Sequence, residues 1–163
     1  MNCTKCKLAL TRHTIVQGRG IIPATILFLS ESPGISEDML GQASVGDAGK
    51  FLDMMRKEAG IEKLNSYFTN TIFCRPCDSK SGKSREPQFS EILACMENVI
   101  SIIRKVMPIH VVLVGDYAQR YYGKMFKDAI KITHPSALLK NGGKRAQGYR
   151  ENIRKLTLIK EGL

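Results

Sequence analysis

No apolar run in this chain of 163 residues is long enough to span a bilayer. Its opening residues carry no secretory hydrophobic region, so an intracellular location, cytoplasmic or nucleoid-associated, is expected. No internal repeat and no low-complexity tract breaks the sequence, which argues against a solenoid. Acidic residues are scarce: 15 Asp plus Glu stand against 25 Lys plus Arg, for a net charge of +10. That balance favours a polyanionic partner. Nucleic acid is favoured over a membrane surface, because no basic amphipathic helix with an aromatic face is present.

What remains is an ordinary globular composition, 43% hydrophobic and 25% charged, enough for one domain over residues 1–163 with a real core. The organising stretch runs from Thr25 to Ala59. Thr25-Ile26-Leu27-Phe28-Leu29-Ser30 is short, apolar and bounded by turn formers, the pattern of a buried parallel strand. Glu31-Ser32-Pro33-Gly34 forces a sharp turn, and Phe51, Leu52, Met54, Met55 and Ala59 then recur at helical spacing up to Gly60. A carboxylate at the end of such a strand lies where open α/β sheets place ligands. Glu31 and the pair Glu37-Asp38 therefore either line a site or merely cap and solvate a loop.

Farther along, Tyr67 to Phe73 predicts a second buried strand with Asn70 inside it. A buried amide must use its donors and acceptors, so Asn70 either closes a backbone turn or faces a ligand; taken alone, the turn is favoured. Asp78 to Ser90 reads as an exposed, mobile, basic loop. A helix from Ser90 to Pro108 follows, then a third strand over Val111–Val114 and a helix from about Tyr117 to Phe126. Ala129 to Thr133 predicts a short fourth strand that delivers His134-Pro135-Ser136, and a final basic helix covers Tyr149 to Ile159. Strands alternating with helices predict an α/β fold, a three-layer α/β/α sandwich around a short, mostly parallel four-stranded sheet.

Five cysteines in such a chain point to metal or redox chemistry rather than a disulfide framework. Cys3, Cys6, Cys74 and Cys77, two C-x-x-C pairs, would make a tetrahedral zinc site. Cys3, Cys6, Cys74 and Cys95, irregularly spaced, suit an iron–sulfur cluster. Both remain open on spacing alone.

Glu31, Asn70 and His134 thus come from three strand ends and face one rim of the sheet. An amide can bond a pyrimidine edge in both directions. An imidazole can donate to an oxygen that becomes negative as a glycosidic bond breaks. A carboxylate can orient water or stabilise an oxocarbenium-like sugar.

The ordered set Cys3-x-x-Cys6, Glu31-Ser32-Pro33-Gly34-x-x-Glu37-Asp38, Gly41, Val45-Gly46-x-Ala48-Gly49, Thr69-Asn70-x-x-x-Cys74-Arg75-Pro76, Cys95 and His134-Pro135-Ser136-x-Leu138-Leu139 resembles the iron–sulfur (fourth) family of uracil-DNA glycosylases. The resemblance covers nearly the whole chain. It implies a monomeric enzyme that flips uracil, or a related modified pyrimidine, out of single- or double-stranded DNA and hydrolyses its N-glycosidic bond in base-excision repair.

By that resemblance Glu31 and His134 are catalytic, and Ser32, Pro33, Gly34, Glu37, Ser44 and Asn70 bind the base. Asn70 would read uracil, and Glu37 would face its C5. Ser136, Lys140, Lys144 and Arg145 would hold the DNA backbone. Cys3, Cys6, Cys74 and Cys95 would ligate a structural [4Fe–4S] cluster, with zinc as the alternative and Cys77 an extra thiol where the family usually has proline. The family's stacking Phe is replaced by Ser44, and stacking is worth roughly 1–3 kcal/mol per base. A catalytically weakened DNA-binding protein of the same fold is therefore the competing expectation.

Overall fold

A computed structural model describes residues 2–162. In chain order it contains a 3-10 helix (Lys7–Leu10), β1 (Arg19–Gly20), β2 (Ile26–Ser30), α1 (Ile35–Leu40), α2 (Asp47–Glu58) and β3 (Ser66–Asn70). Then come α3 (Phe89–Val106), β4 (His110–Val114), α4 (Asp116–Tyr122), β5 (Ile130–Ile132), α5 (Pro135–Lys140), a 3-10 turn (Gly143–Arg145) and α6 (Tyr149–Glu161).

β2 is the centre of the sheet, pairing in parallel with β3 on one side and β4 on the other. Its residues alternate between two cores. Ile26 and Phe28 pack with Leu52, Met55 and Leu156 from α2 and α6; Leu27 and Leu29 pack with Val99, Ile103 and Ala118 from α3 and α4. Burying an aromatic such as Phe28 is worth about 1.5–3 kcal/mol. With both faces covered, the predicted three-layer α/β/α sandwich is present.

The sheet has five strands in the order β1-β3-β2-β4-β5 rather than the expected four. The extra one is Arg19–Gly20, antiparallel to β3. Two residues carry no periodicity, so the Gly18-Arg19-Gly20 signal reads locally as a turn; only the open edge of β3 makes it a strand. β3 also stops at Asn70 instead of Phe73. The backbone N–H of Thr71 makes the last rung, to Ser30 O at 2.9 Å, and is already shared with Glu31 O at 3.1 Å. α4 ends at Tyr122, short of the expected Phe126, where Gly123 follows.

The chain leaves β2 toward β3 and later crosses back to β4 and β5. The carboxyl ends of β2 and β4 thus flank a topological switch point, the crevice where such sheets bind ligands. Among the described residues no helix is long and apolar enough to cross a membrane.

Candidate active site

A cleft of about 440 Å³ opens at that crevice, lined by Glu31, Asn70 and His134 together with the Ser32-Pro33-Gly34 turn, Glu37 and Ser44. The three polar side chains drawn from three strand ends therefore do meet. Each is placed by a distinct device.

Glu31 follows β2. Its carbonyl accepts from the Thr71 backbone N–H (3.1 Å) and from Thr71 Oγ1 (2.6 Å), which fixes the backbone beneath the carboxylate. Burial, reinforced by the charges of Glu86 and Asp116, pushes the Glu31 pKa above the usual carboxylate range. Such a group is a better base than a solvated glutamate.

Asn70 closes β3 and is only 5% exposed. Its Nδ2 is buried and has no hydrogen-bond partner. That amide group is not spent on a backbone turn, contrary to the reading favoured from sequence alone. Buried donors are paired in the great majority of cases, so this orphan beside the cleft is one of a few exceptions among the described residues, and the one whose residue lines the cleft.

His134 caps the N-terminus of α5. Its Nδ1 accepts from the Ser136 backbone N–H at 3.2 Å, and Ser136 Oγ lies 2.7 Å away. A backbone N–H can only donate, so Nδ1 is the acceptor and the neutral ring carries its proton on Nε2. Burial drives the His134 pKa down to about 4, with Asp116 and Glu37 pulling weakly the other way. The ring is thus neutral near pH 7. Gly115, at φ +84° after β4, leaves room for it: a Cβ there would sit 3.0 Å from His134 Cβ.

Glu37 is in the cleft wall with its oxygens already engaged. They accept from the backbone N–H groups of Gly34 (3.2 Å), Val45 (3.0 Å) and Gly46 (2.7 Å). It staples two loops together, while its neighbour Asp38 accepts from His13 and Thr14. Ser44 adopts φ 60°, in the left-handed region, over Gly49, where an added Cβ would lie 2.1 Å from Ser44 O. Arg19 donates to Ala43 O and Ser44 O from across the sheet edge. No Phe, Tyr or Trp lines this cleft among the described residues.

The basic segment predicted as a loose loop folds back on itself. Cys77 bridges to Ser84, and the Arg75 guanidinium donates to Gly82 O and Ser84 Oγ. Its last basic residue, Arg85, reaches the cleft while forming a two-pronged pair with Glu91 at 2.9 and 2.6 Å. Sequence reasoning missed Arg85, Thr71 and Gly115; only the Gly after an apolar strand carried a local signal. Of the expected backbone contacts, Ser136 lines the cleft, and Lys140 sits on an adjoining chamber. Lys144 pairs instead with Glu58 at 3.3 Å, and it and Arg145 lie outside the cleft lining.

Cys3, Cys6, Cys74 and Cys95 line one small hollow with the apolar walls Leu8, Ile72 and Phe73. Cys77 is buried elsewhere, on the Ser84 bridge. Two thiolates sharing one zinc would be ~3.8 Å apart at the usual Zn–S length. Among the described residues no group of three or more His, Cys, Asp or Glu is gathered tightly enough to hold a single ion. Four thiols meeting at one hollow are a donor set that could hold a metal or a cluster. Arg12 Nη1 donates to Cys74 Sγ at 3.6 Å and Asn98 Nδ2 to Cys3 Sγ at 3.9 Å, the kind of contact that stabilises cluster thiolates. Burial holds the Cys74 thiol pKa above the ordinary range and that of Cys95 up to about 12, so both release protons on ligation.

A family model described as the uracil DNA glycosylase superfamily matches residues 18–157. Similar proteins include the type-4 uracil-DNA glycosylase of Sulfurisphaera tokodaii, 37% identical over 135 residues, which cover 82% of this chain and 59% of that protein. That of Archaeoglobus fulgidus is 32% identical over 126 residues, 77% of this chain and 61% of its own length. That of Thermotoga maritima is 32% identical over 156 residues, covering 85% and 79%. The chain thus spans about three-fifths of the length of the first two relatives.

Proposed function

The chain belongs to the uracil DNA glycosylase superfamily, and from that premise we propose that it hydrolyses the N-glycosidic bond of uracil, or a related modified pyrimidine, extruded from DNA. The domain 1–163 acts as a monomer on DNA within the cell, in base-excision repair.

The observation that carries this reading is the orphaned Asn70 Nδ2. A pyrimidine with a carbonyl beside an N–H satisfies the amide in both directions: Nδ2 donates to the carbonyl and Oδ1 accepts from the ring N–H. Cytosine presents an amino group where uracil has that carbonyl, leaving two donors opposed.

As the bond from C1′ to the base lengthens, negative charge gathers on the base. The neutral His134 donates Nε2–H to a base oxygen, and its partner Ser136 holds the ring in that tautomer. A neutral imidazole keeps its proton while bonding the anion, so the base departs as a stabilised anion. Glu31 orients the attacking water, takes its proton as the new C1′–O bond forms, and balances the positive sugar. The products are the free base and an abasic site. Glu37 braces the loops that shape the base's pocket, and the Ser32-Pro33-Gly34 turn forms its floor. Ser136, Lys140 and Arg145 approach the phosphates, with Lys144 partly committed to Glu58.

Cys3, Cys6, Cys74 and Cys95 would hold a [4Fe–4S] cluster, whose contribution is a structural cross-link between the N-terminal segment, the end of β3 and α3.

DNA binding without turnover is the second reading, supported by Ser44 and a lining without Phe, Tyr or Trp. Purified protein incubated with uracil-containing oligonucleotides decides between them. Alkali-labile abasic sites, lost in Asn70→Leu and His134→Ala, are expected. Tight binding with no base release from uracil or any modified pyrimidine, in protein retaining its cluster, overturns the enzymatic reading.

A further inference from the structure

A second chamber of about 430 Å³ adjoins the cleft and shares with it the walls formed by Glu31, Ser84, Arg85, His134 and Ser136. We infer that this chamber is a subsite for the nucleobase next to the target in the same strand, stacked on Tyr117. The inference rests on the glycosylase reading above and deepens it.

The two chambers are nearly equal in size, so the second has room for a base if the first does. Tyr117, at the start of α4, lines it and is its one Phe, Tyr or Trp among the described residues. The Tyr117 ring is held at both ends. Tyr117 Oη donates to Glu86 Oε2 at 2.7 Å, and the ring leans on Tyr121 with centroids 6.2 Å apart. Tyr121 in turn stacks on Phe89 at 5.8 Å, and Phe89 is 58% exposed. The ladder rests on the small core that contains Cys74 and Ile92. The Arg120 guanidinium lies 5.8 Å from the Tyr117 centroid. A rigid, partly exposed ring of this kind is what single-stranded nucleic acid stacks on.

Charge identifies the occupant. Glu31, Glu86 and Asp116 face the chamber, against Arg85 and Lys140. Arg85 is neutralised by Glu91. A phosphate would be repelled by those carboxylates, whereas a neutral base offers a π-face to Tyr117 and amino hydrogens to Asp116. Lys140, at the chamber's edge, is left for the phosphate between the two nucleotides. The target cleft has no Phe, Tyr or Trp in its own lining. The neighbouring base therefore supplies stacking affinity that the target base lacks.

The test is a cycle between protein and DNA. Single-stranded oligonucleotides carry one uracil flanked by normal nucleotides, or with a tetrahydrofuran linker replacing the base on the 5′ or the 3′ side. Their Kd and single-turnover base release are measured with wild type, Tyr117→Ala and Tyr117→Phe. A linker on one flank should weaken wild-type binding about tenfold, the usual value of one stacked base. Tyr117→Ala should lose the same amount on the intact strand and nothing further with the linker, while Tyr117→Phe stays within about twofold of wild type. Linkers that cost wild type nothing on either flank overturn the inference without recourse to any variant. Equal linker penalties in wild type and Tyr117→Ala, or a Tyr117→Phe loss as large as that of Tyr117→Ala, overturn it as well. Base release from the intact strand separately reports the glycosylase reading: coupling in Kd without release sinks that reading and leaves the subsite standing.

Discussion

Replacing Asn70 by leucine should make the protein more stable and nearly inactive. The substitution keeps the number and branching of side-chain heavy atoms at a position only 5% exposed and removes an Nδ2 that has no partner. A buried, unpaired polar group costs about 1–3 kcal/mol, which the variant recovers. For a chain of this length each kcal/mol moves Tm by about 2–4 °C, so a rise of about 2–12 °C is expected in calorimetry. The base would then meet hydrocarbon where its carbonyl and ring N–H need partners, at about 1–3 kcal/mol for each group. The two together lower kcat/KM for uracil release by roughly 10²–10⁴. The opposite signs are the diagnostic. If Asn70→Leu melts lower than wild type, the amide is a structural bond and its assignment as base reader fails, whatever happens to the rate.

Three other outcomes follow from the same geometry. Burial holds the His134 pKa down to about 4, from an ordinary 6.5, so between those values the unfolded chain binds more protons than the folded one. Stability is therefore full above pH 6.5 and falls as pH drops toward 4, by up to about 3 kcal/mol, and urea midpoints should show His134→Gln losing that slope. In the proposed mechanism Glu31 works as its carboxylate, and burial raises its pKa, so base release should fail on the acid side at a pH above the usual carboxylate range. Glu31→Gln should abolish that limb and slow release about 10²–10⁴-fold in single-turnover assays. Cys95→Ser should bleach the broad absorbance near ~400 nm expected of an iron–sulfur protein, while Cys77→Ser leaves it intact; the reverse pattern would move Cys77 into the ligand set.

Local pattern was enough for the buried strand Ile26–Ser30, for the turn that puts Glu31 at its end, and for the helix closed by Gly60, because hydrophobic periodicity and turn chemistry act over a few residues. The motif order from Cys3 to Leu139 was likewise legible, since it is a property of the chain alone. What lay beyond reach depends on residues far apart in sequence. Arg19–Gly20 is a strand only because β3 offers an edge far downstream, at Tyr67 and Phe68. Cys77 looks like a ligand by its spacing from Cys74, yet the Ser84 bridge turns it away from the hollow that collects the other four thiols. Glu37 stands in the cleft wall as its position in the chain suggests, but only the fold shows that its oxygens accept from three backbone N–H groups of two loops. Asn70 is the sharpest case. Its residue type is written in the sequence, whereas its lack of a partner is a fact about everything packed around it, and tertiary packing alone decides whether a buried amide is satisfied or left waiting for a base.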